Sequence, residues 1–366
     1  MLPIELLTSI ALFTLPKLTS AATASEWSSR SIYQVMTDRF ALTDGSSPPC
    51  DDLASYCGGT WRGIKNKLDY IQDMGFTAIQ ISPVVKNMPE STERGAAYHG
   101  FWGTDWYSLN EHFGSAQDLQ DLAKALHERG MLFMVDVVLN DVAVKIDAEA
   151  DERTVIDYSK FNPFNEEKYF HPWCNITYTN SRTADQDCWT SSNVVALPDL
   201  KTESPTVQSM ALTWAKQLVS NYSIDGLRIH RAVNIDTAFL KKFTAEVGVF
   251  TMGEVYLEDL KPLCEYMKIV DAVPNFVAYF AIMEAFAAEE EDDRDMTKLG
   301  ELVKEMGDKC GDAGLLGTFF ENHDTTRFAT ANPDIVVCFL FLSSFVPFPL
   351  EFTQIGANFA LVHSSR

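Results

Sequence analysis

Short apolar runs alternate along this chain with longer stretches in which apolar residues recur every three or four positions. Ser31 to Met36, Thr77 to Ser82, Leu132 to Leu139, Gly226 to Ile229, Val249 to Gly253 and Leu315 to Phe320 read as strands buried on both faces. Between several of them the period becomes helical. From Ser115 to Arg129, Leu119, Leu122, Ala123 and Leu126 share one face, and Gly130 follows at the stop position. Pro205 to Ser220 reads as a second such helix. Strand–helix alternation over this length predicts a parallel sheet, closed as a barrel or doubly wound. Asp141 to Leu200 breaks the rhythm. It is polar, bears cysteines and is too long for a plain loop, so a small inserted subdomain is expected there. The acidic run Glu289 to Asp295 reads as a solvated helix end. Phe345 to Phe352 reads as a final strand with only Thr353 to Arg366 beyond it, so a barrel closing there lacks most of its last helix.

Composition narrows the partners. The 366 residues are 46% hydrophobic, enough for one large domain or two ordinary ones. A formal net charge of −22 repels nucleic acid and acidic membrane surfaces and leaves neutral substrates as the better fit. Residues 1–21 read as a signal peptide: Leu2 to Pro16 is mostly apolar, and Thr19-Ser20-Ala21-Ala22 supplies small residues for cleavage. No Lys or Arg precedes the apolar stretch, and Glu5 lies inside it, a departure from the usual positive start. The stretch is too short to span a bilayer, and no later run is long enough, so a secreted, soluble protein is expected. Seven cysteines then mean three bridges and one thiol. Proximity favours Cys50 with Cys57 and Cys174 with Cys188, leaving Cys264, Cys310 and Cys338. Asn175 and Asn221 open sequons for N-glycans.

Functional side chains of parallel barrels gather at the carboxyl ends of strands. Those ends are unusually polar here: Asp136-Val137-Val138-Leu139-Asn140, Gly226-Leu227-Arg228-Ile229-His230, Gly253-Glu254-Val255 and Glu321-Asn322-His323-Asp324. One such carboxylate is commonly a helix cap or loop ligand; four polar ends in register point to a site.

These residues carry a resemblance. Ser31-Ile32-Tyr33, Cys57-Gly58-Gly59-Thr60-Trp61, Leu68-Asp69-Tyr70-Ile71, Tyr98-His99-Gly100, Leu126-His127-Glu128-Arg129-Gly130-Met131, Asn221 through Ile229 and Leu316-Gly317-Thr318-Phe319 resemble the α-amylase family, most closely secreted fungal Taka-type amylases. The resemblance runs from about Ala22 to Phe352 and implies a (β/α)8 TIM barrel over 22–140 and 201–366, with subdomain B over 141–200. It implies bridges Cys50–Cys57, Cys174–Cys188 and Cys264–Cys310, leaves Cys338 as a buried thiol, and finds the family's C-terminal β-sandwich absent. The family hydrolyses internal α-1,4 links of starch and glycogen with retention, which needs two carboxyl groups about 5–5.5 Å apart. Glu254 is then the acid/base and Asp324 the carboxylate that steadies the distorted sugar; Arg228 and His323 neighbour it, and His99 and Trp102 frame the cleaved sugar.

The attacking aspartate belongs two residues after Arg228, where this chain has His230. An imidazole would give a cationic adduct in a site built for an anion, and the lost carboxylate no longer raises the pKa of Glu254. Nucleophile loss in other enzymes costs roughly 10⁴–10⁶-fold. Asp141 stands where the family has a histidine, and Val233-Asn234 replace a lysine–histidine pair. A calcium site is implied at Asn140, Asp199, Gln186 and the backbone carbonyl of Asn234, weakened because Gln186 replaces a glutamate. The expectation is a secreted monomer that meets α-glucan, with impaired hydrolysis. A non-catalytic glucan binder and a truncated, unstable paralogue are the alternatives.

Overall fold

The computed structural model describes residues 21–146, 156–174, 176, 186–190, 194–287, 296–319, 321–326 and 328–331. Residues 1–20 of the expected signal peptide, Asn175, the acidic run 289–295, Cys338 and the expected strand 345–352 lie outside the described residues.

Among the described residues the strands are β1 (Ile32–Val35), β2 (Ala78–Ile81), β3 (Val85–Asn87), β4 (Gly103–Leu109), β5 (Leu132–Val137), β6 (Val144–Lys145), β7 (Val195–Ala196), β8 (Gly226–Ile229), β9 (Phe250–Gly253), β10 (Val273–Pro274) and β11 (Leu316–Gly317). β1, β2, β5, β8 and β9 pair in parallel in that order. A parallel bridge from Met252 to Ala272 leads on to β10, which pairs in parallel with β11. Neighbours in sequence are neighbours in space, the winding of a (β/α)8 barrel. Every residue of β1, β2, β8 and β9 is buried, as mostly apolar strands are when helices cover a parallel sheet.

The helices between the strands begin and end where their sequences direct. Ser115 caps Ala116–Glu128 reciprocally with Asp118, and Leu119, Leu122, Ala123 and Leu126 face the core. Pro205–Tyr222 starts on its proline and stops at Ser223 in the left-handed region. Asp236 caps Thr237–Val247, which Gly248 ends at φ +88. Below the sheet, Trp27 stacks on Phe250 at 5.1 Å and closes the floor over Ile32, Ala78, Met134 and Met252.

The excursion after β5 does not stand apart from the barrel. β6 and β7 pair antiparallel, and bridges join Asp141 to Asp199, Phe170 to Leu200 and Asn162 to Asp105 of β4. Phe164 meets Trp106 of β4 at 4.8 Å, and Trp106 meets Trp214 of the helix Pro205–Tyr222 at 4.6 Å. The three bridges Cys50–Cys57, Cys174–Cys188 and Cys264–Cys310 are all formed. No helix among the described residues is long and apolar enough to cross a membrane.

Candidate active site

The carboxyl ends of β5, β8 and β9 and the loop after β11 bring their polar residues together around Glu254. Arg228 donates from one guanidinium nitrogen to Glu254 Oε1 at 2.5 Å and from the other to Asp136 Oδ2 at 3.4 Å. His230 places Nδ1 3.0 Å from Glu254 Oε2, and the Arg231 backbone N–H donates to that same oxygen at 2.8 Å. To aim that N–H, Arg231 adopts φ +45, which is costly for a residue with a Cβ. The His230 ring lies 4.7 Å from Phe101, on which the His323 ring stacks at 5.3 Å and the His99 ring at 5.9 Å. His323 contacts Asp324 through Nε2 at 3.2 Å and Gln34 through Nδ1 at 2.8 Å. Glu254, His230, Arg228, His323 and Asp324 are therefore one constellation. His99 and Trp102 border it, with rings 4.6 Å apart and Phe101 between them in sequence.

Electrostatics assign the protons. Burial pushes the Glu254 carboxyl up, but Arg228, His230 and the Arg231 N–H outweigh it and hold the group well below the usual range. Burial pushes the His230 imidazole down, against the pull of Glu254 and with the help of Arg228 and Arg231. A neutral ring beside an ionised carboxylate donates its Nδ1–H to Glu254 and keeps the Nε2 lone pair. Burial also lowers His99 to about 3 and His323 to about 4, and the neighbouring cations add to both shifts. Asp136 moves the other way, to about 7, because burial and Glu254 outweigh Arg228 and the Gln80 amide that donates to it at 2.7 Å.

Several members of this cluster had no role in the sequence reading. Gln34 and Gln80 interrupt the apolar runs of β1 and β2 at paired positions, which marks both as inward-facing polar groups. Phe101 and Arg231 carry no such signal; their places follow from stacking and from one unusual backbone angle.

Of the expected calcium ligands, the structure brings Asn140 and Asp199 together. Asn140 and Asp199 are buried side by side through the Asp141–Asp199 bridge, and Asn140 Oδ1 has no partner among the described residues. Asn140 Nδ2 donates to Asp141 Oδ2 at 3.1 Å. Asp199 Oδ2, however, lies 2.8 Å from His171 Nδ1. Gln186 turns its amide nitrogen to the carbonyls of Ile235 at 2.9 Å and Val233 at 3.5 Å, and so presents hydrogens on that side. Asn234, expected to offer its backbone carbonyl, is buried. Calcium takes six to eight oxygens, and this donor set fits it poorly.

The family described as "Alpha amylase, catalytic domain" matches residues 34–339. An α-amylase of Saccharomycopsis fibuligera is 45% identical over 313 residues, 85% of this chain and 62% of its own length. Alpha-amylase 1 of Schwanniomyces occidentalis is 44% identical over 317 residues, 86% of this chain and 60% of its own. This chain thus spans about three fifths of the length of these curated relatives. Among solved structures, an α-amylase from Malbranchea cinnamomea superposes with a TM-score of 0.83 at 44% identity, covering 93% of this chain and 69% of that one. An α-amylase from Geobacillus thermoleovorans complexed with acarbose gives 0.71 at 32% identity, covering 84% and 64%. With this match in sequence, strand order and superposition, the chain belongs to the α-amylase catalytic-domain family.

Proposed function

We propose that this protein is a secreted α-amylase-family member that holds α-1,4-linked glucan in the family cleft and hydrolyses it poorly. The observation that carries this reading is His230 bonded to Glu254 at 3.0 Å, at the position where the family's attacking carboxylate belongs. Retaining hydrolysis needs a carboxylate to attack the sugar carbon and a carboxylic acid to protonate the leaving oxygen. Here the first is an imidazole. The second is an ionised group with three donors on it, so it has no proton to give. Asp324, with half its side-chain surface exposed, and His323, His99 and Trp102 remain available to the sugar. Arg228 is held among Glu254, Asp136 and, at 3.4 Å, His230 Nδ1, and acts by positioning them. In this reading residues 22–140 and 201–366 form the barrel and 141–200 the subdomain, the chain is a monomer, and Asn175 and Asn221 carry glycans.

A reducing-sugar assay on soluble starch, run beside a binding measurement with an inert maltooligosaccharide, tests the proposal. Binding is expected, with hydrolysis at least about a thousandfold below an ordinary amylase. Turnover within about tenfold of active relatives at any pH from about 4 to 8 overturns the impairment. Folded protein that binds no oligosaccharide overturns the glucan reading.

A further inference from the structure

The inserted segment meets the barrel through hydrogen-bond donors. Gln186 Nε2 donates to Ile235 O at 2.9 Å and approaches Val233 O and Thr237 Oγ1 at 3.5 Å, all in the stretch that follows β8. Three residues away, the Trp189 indole donates to His171 O at 3.0 Å. His171 in turn sits among three carboxylates: Asp199 at 2.8 Å, Glu203 at 3.2 Å and Asp187 at 3.7 Å. The Cys174–Cys188 bridge ties both ends of this arrangement.

We propose that the Gln186 amide and the His171 imidazole do in this chain the cross-linking that calcium does in the family, so that the protein folds and stays folded without the ion. The chemistry follows from residue type. A carboxylate in the place of the Gln186 amide would set an anionic oxygen about 2.9 Å from a carbonyl oxygen, a repulsion that an intervening cation relieves and that otherwise breaks the contact. An amide N–H makes that contact attractive by itself. Asp199, the carboxylate left in the set, has one oxygen on His171. Asn140 Oδ1, without a partner among the described residues, and the second oxygen of Asp199 are then the side-chain oxygens left in the expected set, short of the six to eight that calcium takes. This inference does not depend on the glucan reading.

The test is thermal unfolding of the full chain in calcium chloride and in EGTA, with calorimetric titration of the EGTA-dialysed protein by calcium chloride. The wild-type midpoints are expected to agree within about 1 °C, with no stoichiometric binding heat. Gln186→Glu is expected to lose several degrees, roughly 3 °C or more, in EGTA and to recover them in calcium. A Gln186→Glu protein that folds only in calcium supports the proposal equally. A wild-type midpoint that falls by more than about 3 °C in EGTA, or one tight calcium site in the titration, overturns it. So does a Gln186→Glu protein as stable in EGTA as the wild type.

Discussion

At the scale of single residues, one substitution changes the proton inventory of the whole cleft. An aspartate at position 230 would stand as a like charge beside Glu254 and raise its pKa toward that of a working acid. The imidazole does the reverse: it lends Glu254 a hydrogen bond at 3.0 Å and, with Arg228, holds the carboxylate ionised. His230→Asp should therefore restore two functions together, the attacking carboxylate and the proton on Glu254. It leaves Asp141 buried against Asn140 and leaves Val233 and Asn234 as they are, so the sugar is still held imperfectly. Initial rates on a chromogenic maltooligosaccharide should rise on the order of tenfold or more, with retained anomeric configuration. Adding Asp141→His should raise them further. If both folded variants stay as inert as wild type, the cleft has lost more than its nucleophile and simple glucan binding is the better account. The sequence made His230, Glu254 and Asp324 legible because their spacing within family motifs is rigid. It hid Arg231, whose contribution is a backbone N–H that any residue type except proline supplies.

At the scale of elements, the long periodic helices were readable to within two residues, as with Ser115 to Arg129 against Ala116–Glu128. Short elements set by tertiary contact were not. Among its described residues the run Leu315 to Phe320 yields the two-residue β11, and β10 is two residues ending in a proline, so neither carries a readable period. The helix Trp61–Asn66 shows how tightly such pieces are fixed. Gly63 sits in its middle, where helix propensity favours alanine, yet a Cβ there would lie 2.1 Å from Ala41 O and 2.5 Å from Leu42 O. Both obstacles are backbone and cannot rotate away. Gly63→Ala should destabilise the protein by about 2–3 kcal/mol in urea unfolding. Gly300, exposed in the helix Met296–Lys309 with nothing within 4 Å of a Cβ, is the control. Gly300→Ala should stabilise by about 0.5–1 kcal/mol. Equal effects at the two positions would show that propensity, not close approach, governs Gly63.

At the scale of the whole molecule, parallel strand order and the gathering of polar ends were legible, because strand–helix alternation admits few topologies. The burial of charge was not, since sequence gives the count of carboxylates and not their surroundings. Asp136 is the clearest case. It is 2% exposed inside the barrel, accepts from Gln80 at 2.7 Å, faces Arg228 at 3.4 Å, and has its pKa raised from 3.8 to about 7. The native protein thus holds this proton more tightly than the unfolded chain, and the Asp136 contribution to stability falls as pH rises from about 4 to about 7. His99 and His323 act oppositely. Their folded values of about 3 and about 4 lie below the ordinary 6.5, so their contribution improves as pH rises toward that value. The total profile mixes the two, and a difference between variants separates them. Asp136→Asn mimics the neutral acid at every pH and leaves both histidines in place. Relative to wild type, its unfolding free energy should improve on the order of 2 kcal/mol between about pH 5 and pH 8, read from urea transitions at each pH. A difference that does not change with pH would mean that Asp136 stays ionised throughout and that Arg228 dominates burial.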